Sequence, residues 1–377
     1  MTTFITDIPN QTITIEGERY TANDAASPTP DQESRLQALF RSRYGADSFQ
    51  ASLADFLAEW FNGADKLKVH TSGSTGTPKE LWVEKRRMMN SAMLTVSFLG
   101  LNKDDTAMLC MPLQYIAGKM VVVRSLVASL NLIPITPCGH PMQASDASPV
   151  FSAMIPMQVF NSLQVISEKE RLMQIRHLII GGGAIDETLG QALKEFPHAV
   201  WSTYGMTETL SHIALRRLNG PSASDWYTPF EHVGLGLSVE GTLVIDAPLV
   251  SAEQLITNDI VEFNDKGQFR ILGRKDNTIN TGGVKVQIEQ VENALRPLMP
   301  YPFMVTSVPD IKFGERIVLL VETNEAIGKQ VENAIATLPP YWRPKQIFAL
   351  PTLPLTGTGK PDRANARKIA KKQASQT

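Results

Sequence analysis

The side chains best suited to chemistry cluster in one loop, made up of Thr71, Ser72, Gly73, Ser74, Thr75, Gly76, Thr77, Pro78 and Lys79. It consists of hydroxyl residues, two glycines and a terminal lysine, and proline is its only apolar residue. Glycine lets backbone N–H groups approach a ligand closely, while hydroxyls and a lysine add donors and positive charge. This composition favours a site for a phosphate chain, and a flexible hairpin loop is the alternative.

The loop differs from the common nucleotide-binding loop G-x-x-x-x-G-K-[ST]. Pro78 precedes Lys79 and Glu80 follows it, so both the Gly-Lys helix start and the magnesium-binding hydroxyl are missing. Strand-like runs flank the loop at residues 67–70 and 80–83. The sequence therefore predicts a phosphate-binding loop of another kind, held between two strands.

Length and composition indicate a soluble globular protein. The 377 residues suffice for two or three domains, and a net charge of −2 gives no general attraction to nucleic acid or anionic membranes. Cys110 and Cys138 form no C-x-x-C pair, which favours a reducing cytosol over a disulfide framework or a zinc cluster. No secretory signal or apolar run of about 20 residues is evident. We expect a cytoplasmic protein without membrane insertion, while its oligomeric state stays open.

Strands and helices alternate with short connections, which predicts an α/β fold with parallel strand pairing. Helices are expected from an Asp31 cap to Tyr44, over residues 52–61 and 86–99, and from residue 185 to 196. Residues 120–132 are expected to form a buried core helix. In parallel sheets ligands gather at the carboxyl ends of strands, where the glycines after strand 176–180 and residues 204–209 both lie.

The pattern changes after residue 234. Short β runs to about residue 272 predict a small β subdomain, and the remaining residues predict a compact α+β domain. We therefore expect a large N-terminal α/β domain, residues 1–275, that includes the β subdomain, and a small mobile C-terminal domain, residues 276–377.

Six stretches, in this order, resemble the adenylate-forming superfamily of acyl-CoA synthetases, luciferases and peptide-synthetase adenylation domains. They are residues 71–79, 181–184, 204–209, 258–259, 273–276 with 282–285, and 357–360. The resemblance implies an AMP-forming acid–CoA ligase, in which a carboxylate attacks the α-phosphorus of ATP and the acyl group then passes to CoA. Donors and cations must surround the phosphates because negative charge builds there. The chain is short for the superfamily at its N-terminal region.

The resemblance also assigns roles to individual residues. Ser72, Ser74, Thr75 and Lys79 would hold the β- and γ-phosphates, in a loop whose nucleotide-binding set also includes Thr71, Gly73 and Gly76. Gly181, Gly182, Gly183 and Tyr204 would flank the adenine, with Ala184 and Gly205 in the same set. Asp259 would bind the ribose hydroxyls beside Arg274. Thr207 would contact the α-phosphate, Glu208 would ligate Mg²⁺, and Lys360 would reach the reacting carboxylate.

For the second half-reaction the resemblance implies a domain movement. Asp276 matches the hinge position, Gly282 and Gly283 would let the pantetheine arm of CoA pass, and Lys285 is a further candidate. A simple β-turn is the alternative explanation of the two glycines.

The acid-binding residues follow less directly from the sequence. Gln114 and its neighbours occupy a place where many relatives carry an aromatic-His pair. Lys119 and Arg124 could pair with a second substrate carboxylate, or Arg124 could face solvent. Ser211 and His212 are expected to line the acyl pocket, with a satisfied core histidine as the alternative for His212. The local pattern is most similar to ligases of an aromatic keto-dicarboxylate; other acyl- or aryl-CoA ligases, carrier-protein adenylation enzymes and a non-catalytic nucleotide-binding module are the alternatives.

Overall fold

A computed structural model of the protein describes residues 2–29, 31–70, 80–143, 148–183, 185, 187–356 and 361–375. The predicted phosphate-binding residues of the loop 71–79, together with Ala184 and Lys360, lie outside the described residues. The chain divides into two compact units, residues 1–234 with 245–255 and residues 235–244 with 256–377. The boundary expected between residues 275 and 276 stays a prediction.

The first unit is built on a nine-stranded sheet and a separate two-stranded hairpin. Its strands are β1 (Thr12–Ile15), β2 (Glu18–Thr21), β3 (Lys66–His70), β4 (Glu80–Glu84), β5 (Thr106–Leu109), β6 (Asn131–Pro134), β7 (Phe151–Met154), β8 (His177–Ile180), β9 (Ala199–Gly205), β10 (His212–Arg217) and β11 (Thr228–Pro229). Its helices are α1 (Ala22–Ala25), α2 (Arg35–Tyr44), α3 (Phe49–Trp60), α4 (Lys85–Leu99), α5 (Ile116–Ala128), α6 (Pro156–Leu163), α7 (Ile166–Met173) and α8 (Glu187–Leu193).

The large sheet confirms the predicted parallel α/β architecture. Its order is β11-β10-β9-β8-β7-β5-β6-β1-β2, and the strands from β9 to β1 pair in parallel. The edges are antiparallel: β2 pairs with β1, and β10 joins β9 to β11. Strands β3 and β4, which flank residues 71–79 in the sequence, pair antiparallel. The carboxyl ends of β8 and β9 therefore lie at one edge of a parallel sheet.

Several predicted helix boundaries shift because another residue provides the cap. Helix α2 begins after Ser34 rather than Asp31, since the Ser34 hydroxyl accepts the Gln37 N–H while the Gln37 side chain accepts the Ser34 N–H. Helix α3 begins at Phe49, capped by Ser48, three residues before the predicted start. Helix α8 ends at Leu193 rather than Phe196.

Helix α5 confirms a buried core helix in the predicted region 120–132, although it begins at Ile116 and ends at Ala128, and residues 131–134 belong to strand β6. Its residues from Gly118 to Ala128 are all buried, so the helix has no solvent face along that stretch. One of these buried residues is Arg124, whose exposed fraction is 1%. A charged side chain in the middle of a buried helix is unusual and directs attention to its surroundings.

The later part of the chain adds two smaller sheets, which confirm the predicted β subdomain and α+β region. The four-stranded sheet contains β12 (Gly234–Leu237), β13 (Thr242–Asp246), β14 (Leu255–Phe263) and β15 (Phe269–Arg274). The other contains β16 (Thr278–Thr281), β17 (Val284–Gln287), β18 (Phe303–Asp310), β19 (Gly314–Glu322) and β20 (Gln346–Leu350), with helices α9 (Ile288–Leu295), α10 (Lys329–Ala336) and α11 (Arg363–Ala374). None of the helices in the described ranges is both long enough and apolar enough to cross a membrane.

Candidate active site

The glycines after β8 lie against the neighbouring strand. A Cβ atom on Gly181 would stand 2.4 Å from Oγ1 of Thr203 in β9, so no other residue fits there without a shift. Gly182 has a φ of +79°, in the left-handed region that favours glycine. The chain can therefore leave the sheet sharply at the carboxyl end of β8, where backbone groups become accessible to a ligand.

The end of β9 meets the start of β10 equally closely. The predicted adenine neighbour Tyr204 is buried, with its ring centroid 6.0 Å from that of Tyr227. At Gly205 a Cβ atom would stand 2.3 Å from the Ser211 carbonyl oxygen and 2.5 Å from Cα of His212. Because both neighbours are backbone atoms, they cannot move aside without disturbing the strand pair.

Replacing Gly205 with alanine should therefore lower the free energy of unfolding by about 1–3 kcal/mol. The measurement is urea denaturation of the purified variant. Gly190→Ala in α8 is the matched control, because nothing lies within 4 Å of its added Cβ atom. The control should be neutral or slightly stabilising, and equal destabilisation of both variants would contradict the close approach.

Between β9 and β10 a short 3₁₀ turn, Thr207–Thr209, carries two of the predicted catalytic residues. The Thr209 hydroxyl accepts the Met206 N–H and donates to the Ser211 carbonyl, which fixes the turn from inside. The following residue, Leu210, has a φ of +64°, a conformation rare for a branched side chain and often found near functional sites. The turn thus holds Thr207 and Glu208 at the carboxyl edge of the sheet.

The carboxylate of Glu208 is exposed and has no hydrogen-bond or ion-pair partner among the residues that the structure describes. The described residues contain no cluster of three or more metal-ligating side chains. A lone accessible carboxylate fits Mg²⁺, which proteins commonly bind through one or two carboxylates together with the phosphates of a substrate.

Arg124 lies close to this turn, and its charge is unbalanced by any described carboxylate. Its Nη2 donates to Oγ of Ser211 at 2.7 Å, whereas its Nε is buried without a hydrogen-bond partner in the described part of the chain. The guanidinium carbon stands 5.9 Å from the centroid of the Phe151 ring. Burial lowers the pKa of Arg124 to about 9. The alternative that Arg124 faces solvent is therefore wrong.

His212 has hydrogen-bond partners for both ring nitrogens. Its Nδ1 is 3.2 Å from Oγ of Ser211, and its Nε2 is 3.0 Å from Oγ1 of Thr95 in α4. Burial, and secondarily the charge of Arg124, hold the pKa of His212 well below its usual value, so the ring is neutral at pH 7. His212 is thus a satisfied buried histidine, as one alternative held, and it also contacts the predicted pocket residue Ser211.

Two features of this cluster escaped the sequence prediction. Thr95 was not identified, although it is a polar residue on the buried face of α4. A β-bulge follows His212, because His212 pairs with Gly205 while Ala214 pairs with Tyr204. Such bulges re-aim side chains next to active sites, and the sequence carries no evident mark of this one.

The other two predicted acid-binding residues lie in different surroundings. Nζ of Lys119 donates to the Lys68 carbonyl at 2.9 Å, is 3.4 Å from a carboxylate oxygen of Glu59 and stands 5.3 Å from the Phe56 ring centroid. The charge of Lys119 therefore already has a partner within the protein, whereas no carboxylate of the described residues pairs with Arg124. Gln114 is exposed, just before the start of α5.

In the second unit the structure brings together three of the predicted residues. Asp259 and Arg274 face each other across β14 and β15, with Nη1 of Arg274 3.1 Å from Oδ1 of Asp259. Arg274 also binds both carboxylate oxygens of Asp276, at 3.0 and 3.1 Å. The hydrogen bond to Asp276 is the main reason that the pKa of Arg274 is raised. The predicted ribose ligand and hinge residue thus share one arginine.

Gly282 and Gly283 form the two-residue turn between β16 and β17, with φ values of +58° and +82°. A hairpin with two positive φ angles requires glycine-like residues, so the turn explains both glycines by itself. A Cβ atom on Gly282 would stand 3.2 Å from the Phe313 ring. Lys285 is exposed on β17.

Comparisons with known proteins agree with these features. The family model described as AMP-binding enzyme matches residues 67–248. A solved acyl-CoA synthetase (AMP-forming)/AMP-acid ligase II-like protein of Dyadobacter fermentans is 31% identical, covering 87% of this chain and 95% of that one with a TM-score of 0.60. The 2-succinylbenzoate–CoA ligase of Listeria monocytogenes is 24% identical over 362 residues, covering 85% of this chain and 75% of its own length.

The o-succinylbenzoate coenzyme A synthetase of Bacillus subtilis, solved in complex with ATP and a magnesium ion, has a TM-score of 0.67, with coverage of 94% and 96%. Its identity of 16% shows a shared fold alone. The Dyadobacter relative, by contrast, is similar over almost its whole length, and the family model spans the strand ends described above. The chain therefore belongs to the AMP-binding enzyme family of AMP-forming acyl-CoA synthetases.

Proposed function

We propose that this protein is the AMP-forming acid–CoA ligase that activates o-succinylbenzoate in menaquinone biosynthesis. The observation that carries the proposal is the buried guanidinium of Arg124, which no described carboxylate neutralises. An isolated buried charge costs several kcal/mol unless a partner of opposite charge is supplied. A substrate carboxylate is such a partner, and guanidinium binds carboxylates in a planar, two-bonded geometry.

The acid must then carry two carboxylates. One is consumed in the reaction with ATP, and the other stays ionised to pair with Arg124. o-Succinylbenzoate is a keto-dicarboxylate on a benzene ring and meets this requirement. The name of the Listeria relative, 2-succinylbenzoate–CoA ligase, supports the same substrate.

ATP supplies the electrophilic α-phosphorus, and Mg²⁺ offsets the charge of its phosphates. Glu208 would hold the ion, Thr207 would donate to the α-phosphate, and the strand-end glycines would let the adenine approach the backbone. Asp259, oriented by its hydrogen bond from Arg274, would accept hydrogen bonds from the ribose hydroxyls. The roles of Lys79 and Lys360 rest on the family resemblance, as does the passage of the CoA arm beside Gly282 and Gly283.

A matched set of acids tests the proposal. o-Succinylbenzoate is compared with 4-oxo-4-phenylbutanoate and with 2-butanoylbenzoate, each of which lacks one of its two carboxylates. Purified protein with ATP and Mg²⁺ should release pyrophosphate with o-succinylbenzoate and form its thioester when free CoA is added. Whichever carboxylate reacts, both analogues should be poor substrates, because the one that keeps the reactive group lacks the partner of Arg124.

Other outcomes would identify other functions. Equal activity with a monocarboxylate analogue would contradict the dicarboxylate proposal and indicate a different acyl- or aryl-CoA ligase. Adenylation without thioester formation from free CoA would indicate an enzyme that loads a carrier protein. Absence of AMP with every acid would leave only a nucleotide-binding module.

A further inference from the structure

Four side chains form a continuous hydrogen-bonded chain through the buried part of the first unit. Thr95 on α4 contacts His212 on β10, His212 contacts Ser211, and Ser211 contacts Arg124 on α5. Thr95, His212 and Arg124 are all buried. The sequence separations are large, 117 residues for the first contact and 87 for the last. The chain therefore exists only in the folded protein.

The arginine end fixes the direction of one hydrogen bond. A guanidinium can only donate, so Ser211 must accept from Arg124. The Ser211 hydroxyl keeps its proton and a second acceptor lone pair, so it can either donate to Nδ1 of His212 or accept from it. The arginine end alone therefore leaves both neutral tautomers of His212 open.

The threonine end decides between the two tautomers. The Thr95 hydroxyl lies 3.2 Å from the Ser91 carbonyl oxygen, one helical turn earlier, and a carbonyl can only accept. Thr95 therefore gives its one proton to Ser91 and must accept from His212. The neutral ring of His212 therefore carries its proton on Nε2, and its unprotonated Nδ1 accepts the hydroxyl proton of Ser211.

We propose that Thr95 and His212 are positioning residues that hold Ser211 as an acceptor toward Arg124 and so set the preference for a dicarboxylate. This inference rests on the proposed function, in which Arg124 pairs with the second substrate carboxylate. In the opposite tautomer Ser211 would accept hydrogen bonds from both Nδ1 of His212 and Arg124, and its own proton would have no acceptor among the described residues. The Ser211 hydroxyl, and with it the orientation of the guanidinium, would then no longer be fixed.

Thr95→Val tests the inference, because valine keeps the shape of threonine and removes the hydroxyl. Loss of one buried hydrogen bond should raise KM for o-succinylbenzoate about tenfold with little change in kcat. The kcat/KM of the slow reaction with whichever of the two monocarboxylate analogues keeps the reactive carboxylate should not change, because that acid lacks the carboxylate that pairs with Arg124. Thr95→Ser, which retains the hydroxyl, should restore the wild-type KM.

Equal losses on both acids, or a Thr95→Ser variant as impaired as Thr95→Val, would overturn the inference in favour of a packing role for Thr95. Urea denaturation of both variants measures any difference in folding directly.

A spectroscopic measurement judges the tautomer without any substrate. Nitrogen-15 NMR of the full-length protein with labelled histidine should show His212 as neutral with its proton on Nε2, and His212→Gln assigns the signal among the 6 histidines. Thr95→Val should abolish the single tautomer. A proton on Nδ1, or a doubly protonated ring, in the wild-type protein would overturn the inference. If the tautomer is as expected but Arg124 variants keep the acid preference, the proposed function fails while the hydrogen-bond directions stand.

Discussion

Replacing Arg124 with methionine is expected to lower kcat/KM for o-succinylbenzoate by about 100- to 1,000-fold. Removing one member of a buried charged pair typically costs about 2–5 kcal/mol, and each factor of ten corresponds to about 1.4 kcal/mol. Because the carboxylate that pairs with Arg124 belongs to the substrate, we expect this free-energy loss to lower kcat/KM rather than the stability of the fold. The measurement is pyrophosphate release at varied acid concentration.

The same variant should fold at least as well as the natural protein. Arg124 is buried without a carboxylate partner in the described ranges, so an apolar side chain of similar size removes a desolvated charge from the core. The free energy of unfolding in urea should be unchanged or higher. Lys119→Met is the matched control, because Lys119 already pairs with Glu59 and the Lys68 carbonyl. If Lys119→Met reduces the dicarboxylate preference and Arg124→Met does not, the assignment of the substrate cation is wrong.

The sequence predicted most of the fold because its signals are local. Short apolar runs that end in glycine or hydroxyl residues predict parallel strands, and they located β9 and the turn that follows it. A longer apolar run predicted the buried helix α5. Helix starts were less accurate, since Ser34 and Asp31 are both good caps and only the reciprocal bond from Gln37 decides between them. The order of strands in the sheet depends on contacts distant in sequence.

The partners of the acid-binding residues could not be predicted from the sequence. Lys119 and Arg124 are both cations on one helix, and nothing local tells that Glu59 neutralises the first while no carboxylate in the described part of the chain neutralises the second. Which neighbour each cation meets depends on how α5 lies relative to α3, β3 and Ser211, which directly precedes β10. Thr95 is an extreme case, because its partner lies 117 residues away and beside an unforeseen β-bulge. Residue types suggested the chemistry, and tertiary packing decided which side chains are available for it.

Replacing Lys360 is the second substitution for which we expect a large loss of activity. Lys360 lies outside the described residues, but the chain on either side of it is well anchored. Leu355 and Pro361 form an antiparallel bridge, and the Asp362 N–H donates to the Pro354 carbonyl at 3.0 Å. One residue further, Arg363 donates through both terminal nitrogens to the buried carboxylate of Glu292. The described residues on both sides of Lys360 are therefore held in place by hydrogen bonds.

We expect Lys360→Ala to lower the rate of acyl-adenylate formation by about 100- to 1,000-fold, the usual cost of removing one group that stabilises transition-state charge. ATP binding should change little, because the proposed contacts of Thr207 and Glu208 are untouched. Acid-dependent exchange of labelled pyrophosphate into ATP measures acyl-adenylate formation alone. Equilibrium binding measures the affinity for ATP. Lys368→Ala, an exposed lysine on α11, is the matched control. Unchanged exchange in Lys360→Ala, or an equal loss in both variants, would show that the charge of Lys360 does not act on the reacting groups.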